Sequence, residues 1–196
     1  LMDCPLLEQL HLENTKLTLK GIGSIVNQSK WASQLKHLNL SNNDLSDQAI
    51  SILTLPQWPL LQELNLKNTK ITRQGVQSLV HKINLPHLRK LDISENEIFD
   101  EGLQILALGN WPLFEHLVYY KTQITSRGTV TLLENFKWPN LHHLEQSFNE
   151  SPLDSSIPQI LLAMVPMDYN KQSTMVAVLN LSWLNSKEIY LSIEGN

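Results

Sequence analysis

Cysteine occurs once in this 196-residue chain, at Cys4. No internal disulfide can form, which is the usage expected of a reducing compartment. The cytoplasm is therefore the expected location. Cations are scarce too: 15 Lys and Arg stand against 19 Asp and Glu, a net charge of −4. Broad phosphate binding needs many cations gathered on one face, so no nucleic-acid partner is expected. No apolar run approaches the roughly 18 residues of a membrane span, so no membrane partner is expected, and no signal-peptide pattern is visible. The G-x-S-x-G, P-loop, G-x-G-x-x-G and H-E-x-x-H motifs are all missing. The expectation is a binding protein and not an enzyme, with no cofactor and no metal.

What the chain has in quantity is apolar residues, 42%, and it spaces them regularly. The line "LHLENTKLTLKG" at 10–21 returns 54 residues later as "LNLKNTKITRQG" at 64–75, with seven of twelve positions identical. Both lines belong to a finer series, L-x-x-L-x-L-x-x-(N/T)-x-(L/I). Leu7, Leu35, Leu61, Leu88, Phe114 and Leu141 each open a copy, in steps of 28, 26, 27, 26 and 27 residues. The ninth position alternates strictly through Thr15, Asn43, Thr69, Asn96, Thr122 and Asn149. The echo at 53–54 residues is thus a doublet of two repeat types.

Self-similarity at this period indicates a solenoid. L-x-L is the period-2 signature of a short strand with one buried face. Six residues past the ninth position a small residue follows each time: Gly21, Ala49, Gly75, Gly102, Gly128, Ser155. A small side chain there would let the return segment lie close to the strands. Helical spacing comes next, as in Val76, Leu79, Val80 and Ile83, with Ser46, Thr72 and Asp100 as expected N-caps. In five of the six copies a proline, Pro5, Pro59, Pro86, Pro112 or Pro139, stands two residues before the opening position, where it stops a helix and starts the next strand. Trp31, Trp58, Trp111 and Trp138 recur just before that point and are expected to pack at the edge of the core. Each repeat reads as strand, turn, helix, turn.

The series resembles the leucine-rich repeat, and its 26–28-residue period is similar to the ribonuclease-inhibitor-like subfamily, which also alternates two repeat types. It departs at the ninth position, where Asn or Thr stands in place of Asn or Cys. The resemblance covers residues 4 to about 165. It implies an α/β fold, a right-handed curved solenoid with parallel strands on the concave face and helices on the convex face. Residues 1–166 would hold six repeats, and 167–196 an irregular last repeat and a cap. Within these, "SSIPQILLAMVP" (155–166) reads as the sixth helix, "VAVLNLSWLN" (176–185) as an off-period copy of the strand motif, and "EIYLSI" (188–193) as one more strand. The opening "LMDCPLLEQL" already lies inside a repeat, so a longer parent protein is expected.

Function should sit on the side chains that alternate outward from the strands. Three rows result: Gln9, His37, Glu63, Lys90, His116, His143; then His11, Asn39, Asn65, Asp92, Val118, Glu145; then Glu13, Ser41, Lys67, Ser94, Tyr120, Ser147. No row keeps one residue type, so the face is expected to be free of folding duties and matched to a partner. Lys90, Asp92, His116, Val118, Tyr120, Lys121, His143, Glu145 and Phe148 are the expected centre of contact, because aromatics carry much of the energy of protein interfaces. His37, Asn39, Glu63, Asn65 and Lys67 extend it. His116, His143 and Glu145 have the chemistry of metal ligands, but an open sheet without a ligand-spacing motif argues for no metal.

The resemblance implies that the concave face holds a folded protein, to inhibit or scaffold it. With one Cys and many Asn, the chain looks similar to leucine-rich-repeat effectors that intracellular bacteria deliver into host cells, so the expected partner is a host protein or another effector, met in the host cytosol. The alternative is the recognition part of a larger enzyme such as a ubiquitin ligase or GTPase regulator.

Overall fold

A computed structural model describes Cys4, residues 6–27 and 31–146, and the C-terminal strands at 163–164, 174–180 and 188–194. Each L-x-L segment forms a short strand: β1 (Gln9–His11), β2 (His37–Asn39), β3 (Glu63–Asn65), β4 (Lys90–Asp92), β5 (His116–Val118) and β6 (His143–Gln146). A helix follows each of the first five: α1 (Leu19–Asn27), α2 (Ser46–Leu53), α3 (Arg73–Lys82), α4 (Phe99–Leu106) and α5 (Ser126–Asn135). Adjacent strands pair in parallel and in strict register, so Leu38, Leu64, Leu91, Leu117 and Leu144 lie side by side. Neighbouring helices pack against one another on the other layer. Strands repeat at about 4.8 Å, whereas packed helices need roughly 8–10 Å. The array therefore bends with its strands inside. This is the expected α/β solenoid.

The core lies between the layers. The opening residues Leu35, Leu61, Leu88, Phe114 and Leu141 are buried, as are Leu40, Leu66, Ile93 and Tyr119 at the third apolar position. Trp58, Trp111 and Trp138 are buried too; Trp138 stacks on Trp111 with centroids 5.6 Å apart, and its indole N–H donates to the Gly109 carbonyl.

The doublet has a physical cause. Asn43 and Asn96 are buried and bridge backward to the preceding repeat. Asn96 Oδ1 accepts from the Thr69 and Ile71 amides, while its Nδ2 donates to the carbonyls of Leu66, Ile93 and Ser94. Asn43 repeats this with Thr15, Leu17, Leu12, Leu40 and Ser41. Forward, the same repeats offer an aspartate. Asp47 accepts from the amide and hydroxyl of Thr72, and Asp100 from those of Thr125, at 2.7–2.8 Å. Each Asn-type repeat thus clasps the Thr-type repeat on either side.

Those clasps correct two expectations. Ser46 and Asp100 are not side-chain N-caps; α2 and α4 have Leu45 and Ile98 there, with no side-chain cap bond. Instead the Ser46 and Phe99 amides donate to the carbonyls of Thr69 and Thr122 in the next repeat. Both residues take positive φ, 59° and 57°. Thr72 does cap α3, accepting from the Gln74 amide. The small residue also has a sharper cause than close approach to the strands: a Cβ on Gly75 or Gly128 would sit on Asp47 Oδ1 or Asp100 Oδ1.

At the C-terminal end the sheet runs on from β6 into β9 (Glu188–Glu194), β8 (Thr174–Asn180) and β7 (Ala163–Met164). β9 is parallel to β6, but β8 is antiparallel to β9 and β7 antiparallel to β8. The 176–185 motif is therefore not a further parallel repeat. Only seven residues separate β8 from β9, too few for the dozen or more that a parallel crossover needs. Ala163 and Met164, expected in a sixth helix, are strand. The rest of that expected helix lies outside the described residues.

Candidate functional site

The register of β1–β6 aligns the outward side chains into the expected rows. Gln9, His37, Glu63, Lys90, His116 and His143 are mutual neighbours across five strand pairs, as are His11, Asn39, Asn65, Asp92, Val118 and Glu145. Glu63 and Lys121 are exposed; His37, Asn39, Asn65, Lys67, Lys90, Asp92, His116, Tyr120, His143 and Glu145 are half-buried. Phe148 and Ser147 lie outside the described residues.

The second row is not free of folding duties. Asn39, Asn65 and Asp92 each accept, through Oδ1, from the amide two residues on, at Ser41, Lys67 and Ser94. This is the local turn that short Asn and Asp side chains make at the end of a strand. Val118 has no acceptor to offer there, and the Tyr120 amide is taken by Ser94 Oγ of the preceding repeat at 3.1 Å. Ser41 and Ser94 are accordingly buried and are not contact residues. Val118 is 4% exposed yet lies outside the hydrophobic core cluster. It forms a floor between its register partners Asp92 and Glu145 and does not project as a contact.

Along the earlier repeats several of the remaining charged side chains meet a neighbour in another repeat. His37 Nδ1 meets Glu63 Oε2 at 3.3 Å, and Asn39 Nδ2 donates to Glu13. Lys67 and Lys121 flank Glu95 at 3.3 and 3.9 Å. Glu95 was no candidate from the row pattern, although a signal existed. It stands where Asn14, Asn42 and Asn68 stand in earlier repeats, a site with φ of 50–57° throughout. Asn tolerates that conformation better than Glu.

The last two repeats hold a tighter group. The rings of His116 and His143 meet edge to face, centroids 4.3 Å apart. Both turn Nε2 toward Glu145 Oε1, at 2.5 Å from His116 and 3.2 Å from His143. The Tyr120 hydroxyl donates to the other oxygen, Glu145 Oε2, at 2.7 Å. Burial pushes the His116 pKa below its usual value; Glu145 opposes this, and His143 and Lys90 reinforce it. For Glu145 burial acts upward, but the Tyr120 hydroxyl and the His116 and His143 rings outweigh it and hold the pKa below the carboxylate norm. The group at neutral pH is an anionic carboxylate facing a neutral His116 imidazole.

A family model described as Leucine Rich repeat matches residues 33–51, 59–80 and 84–107. These segments are similar to leucine-rich repeats. The chain is 33% identical over 108 residues to NACHT, LRR and PYD domains-containing protein 5 of Bos taurus, a stretch that is 53% of this chain and 10% of that protein. It is 31% identical over 106 residues to NACHT, LRR and PYD domains-containing protein 13 of Homo sapiens, covering 52% of this chain and 10% of that one. Ribonuclease inhibitor of Sus scrofa is 27% identical over 107 residues, 53% of this chain and 24% of the inhibitor. The chain thus spans a small part of the length of each of these relatives.

Proposed function

We propose that this leucine-rich-repeat array binds a folded protein through its concave strand face and acts by occupancy, with no chemistry of its own. The observation that carries this is the contrast between the two sides of β1–β6. Inward positions repeat as leucine, whereas the row from Gln9 to His143 changes residue at nearly every repeat and stays accessible. Folding requires the first and leaves the second open to a partner. Leucine-rich repeats generally mediate protein–protein interaction, and the similarity to ribonuclease inhibitor, a protein named for restraining another protein, supports the same mode.

Within this proposal Glu63, Lys90, Tyr120 and His143 make the main contacts, with His37, Lys67, Asp92 and Lys121 around them. A host protein or second bacterial effector as partner, in the cytosol, is supported by the single Cys and the Asn/Thr texture of the repeats. The relatives described above are mammalian.

Affinity capture followed by mass spectrometry tests the proposal, run on the parent, on Lys90→Glu with Tyr120→Ala, and on Lys82→Glu of the helix face. All three must first share one thermal unfolding midpoint. A protein retained by the parent and Lys82→Glu but lost from the strand-face variant is the expected result. Equal retention by all three would move binding off the strand face and overturn the proposal.

A further inference from the structure

The group at His116, His143 and Glu145 does not behave as an ordinary ion pair. His116 Nε2 is a buried side-chain nitrogen without a hydrogen-bond partner among the described residues, although Glu145 Oε1 lies 2.5 Å away. One ligand atom from each of the three residues lies within 4.8 Å of the other two.

From this geometry we propose that His116 Nε2, His143 Nε2 and Glu145 Oε1 form a binding site for a zinc-class divalent transition ion. Two imidazoles and one carboxylate are a donor set that zinc accepts, with bonds of about 2.0–2.2 Å and a fourth position left for water or another ligand. Tetrahedral bonds of that length place ligand atoms roughly 3.3 Å apart. The His143–Glu145 separation, 3.2 Å, already matches; the His116–Glu145 contact, at 2.5 Å, would lengthen on binding.

The sheet supplies the preorganisation. His116 and His143 are register partners on β5 and β6, and Glu145 follows two residues along β6 on the same face. Strand-borne ligands are held more rigidly than loop-borne ones. The Tyr120 hydroxyl binds Glu145 Oε2 and leaves Oε1 to face the rings. Outer partners of this kind fix a ligand's orientation, and their loss commonly weakens binding 10–100-fold. No spacing motif announces such a site, since its ligands come from neighbouring repeats and meet only through strand register.

The site shares His143 and Tyr120 with the proposed partner face, but it is tested without a partner. Untagged protein is titrated with zinc chloride by calorimetry, and cobalt(II) is added separately to read the visible spectrum of a tetrahedral site. The expected result is one ion per chain and a thermal midpoint raised by zinc. His143→Ala and Glu145→Gln should each weaken binding at least 10-fold, and Tyr120→Phe about 10-fold. His142→Ala, an exposed neighbour whose ring already meets the Asn140 carbonyl, should leave affinity unchanged. Circular dichroism confirms that each variant is folded; Tyr120→Phe, which keeps the ring, serves if a ligand variant is not. No uptake up to about 1 mM zinc, or uptake that His142→Ala reduces and Tyr120→Phe and the ligand variants do not, would overturn the site.

Discussion

At the scale of single residues, the structure separates side chains that alternate outward from side chains that are free. Asn96 shows how much one buried amide can hold. Its five hydrogen bonds satisfy the loop amides of one repeat and the strand-end carbonyls of two. Asn96→Ala would strand several of these groups away from water, at 1–3 kcal/mol for an unsatisfied group. We expect a total loss of roughly 3–5 kcal/mol, read as a lowered urea midpoint. Ser94→Ala removes only the acceptor for the Tyr120 amide and should cost about 1–2 kcal/mol. A loss for Ser94→Ala as large as that for Asn96→Ala would show that the serine supports more than this amide. By contrast, Lys67 pairs with Glu95 at a partly exposed site, so Lys67→Ala should shift stability by less than about 1 kcal/mol.

Between elements, what matters is the clasp of a helix start by the preceding repeat. Gly128 is in α5, and a Cβ on it would collide with the Asp100 carboxylate that Thr125 binds. Gly128→Ala should destabilise by roughly 1–3 kcal/mol. Gly23→Ala in α1 meets open space and should stabilise by about 0.5–1 kcal/mol, because alanine loses less backbone freedom in a helix. Paired with Asp100→Ala, Gly128→Ala should cost less than it does alone, since the colliding group is gone. Urea denaturation of the four variants checks this, and additive losses in the double variant would contradict the clasp. The leucine pattern, the turn positions and the capping role of Thr72 were legible in the chain. The failed caps at Ser46 and Asp100 were not, because the groups that replace them arrive from the next repeat, more than 20 residues away.

For the molecule as a whole, contacts run between neighbouring repeats, so stability should spread as a sum of local and nearest-neighbour terms. Leu91 is fully buried at the centre of the array, and Leu91→Ala should cost about 2–5 kcal/mol. Hydrogen exchange should show the largest loss of protection in β3–β5 and α3–α4, and a smaller one at β1 and α1. Uniform loss across the array would mean that the repeats unfold as one cooperative unit.

Periodicity alone determined that this chain is a solenoid of strand and helix, which leucines face inward, and that two repeat types alternate. Those properties are local, since each follows from side-chain spacing within a dozen residues. Tertiary structure decided the rest. It made the alternation a system of Asn and Asp clasps, turned Val118 from a contact into a floor, and gave Asn39, Asn65 and Asp92 a turn to hold. It ran β8 against β9 where the spacing had suggested another parallel copy. It also brought His116, His143 and Tyr120 around the Glu145 carboxylate. Each of these depends on atoms from different strands or repeats, and only their stacking at strand spacing determines which side chains meet.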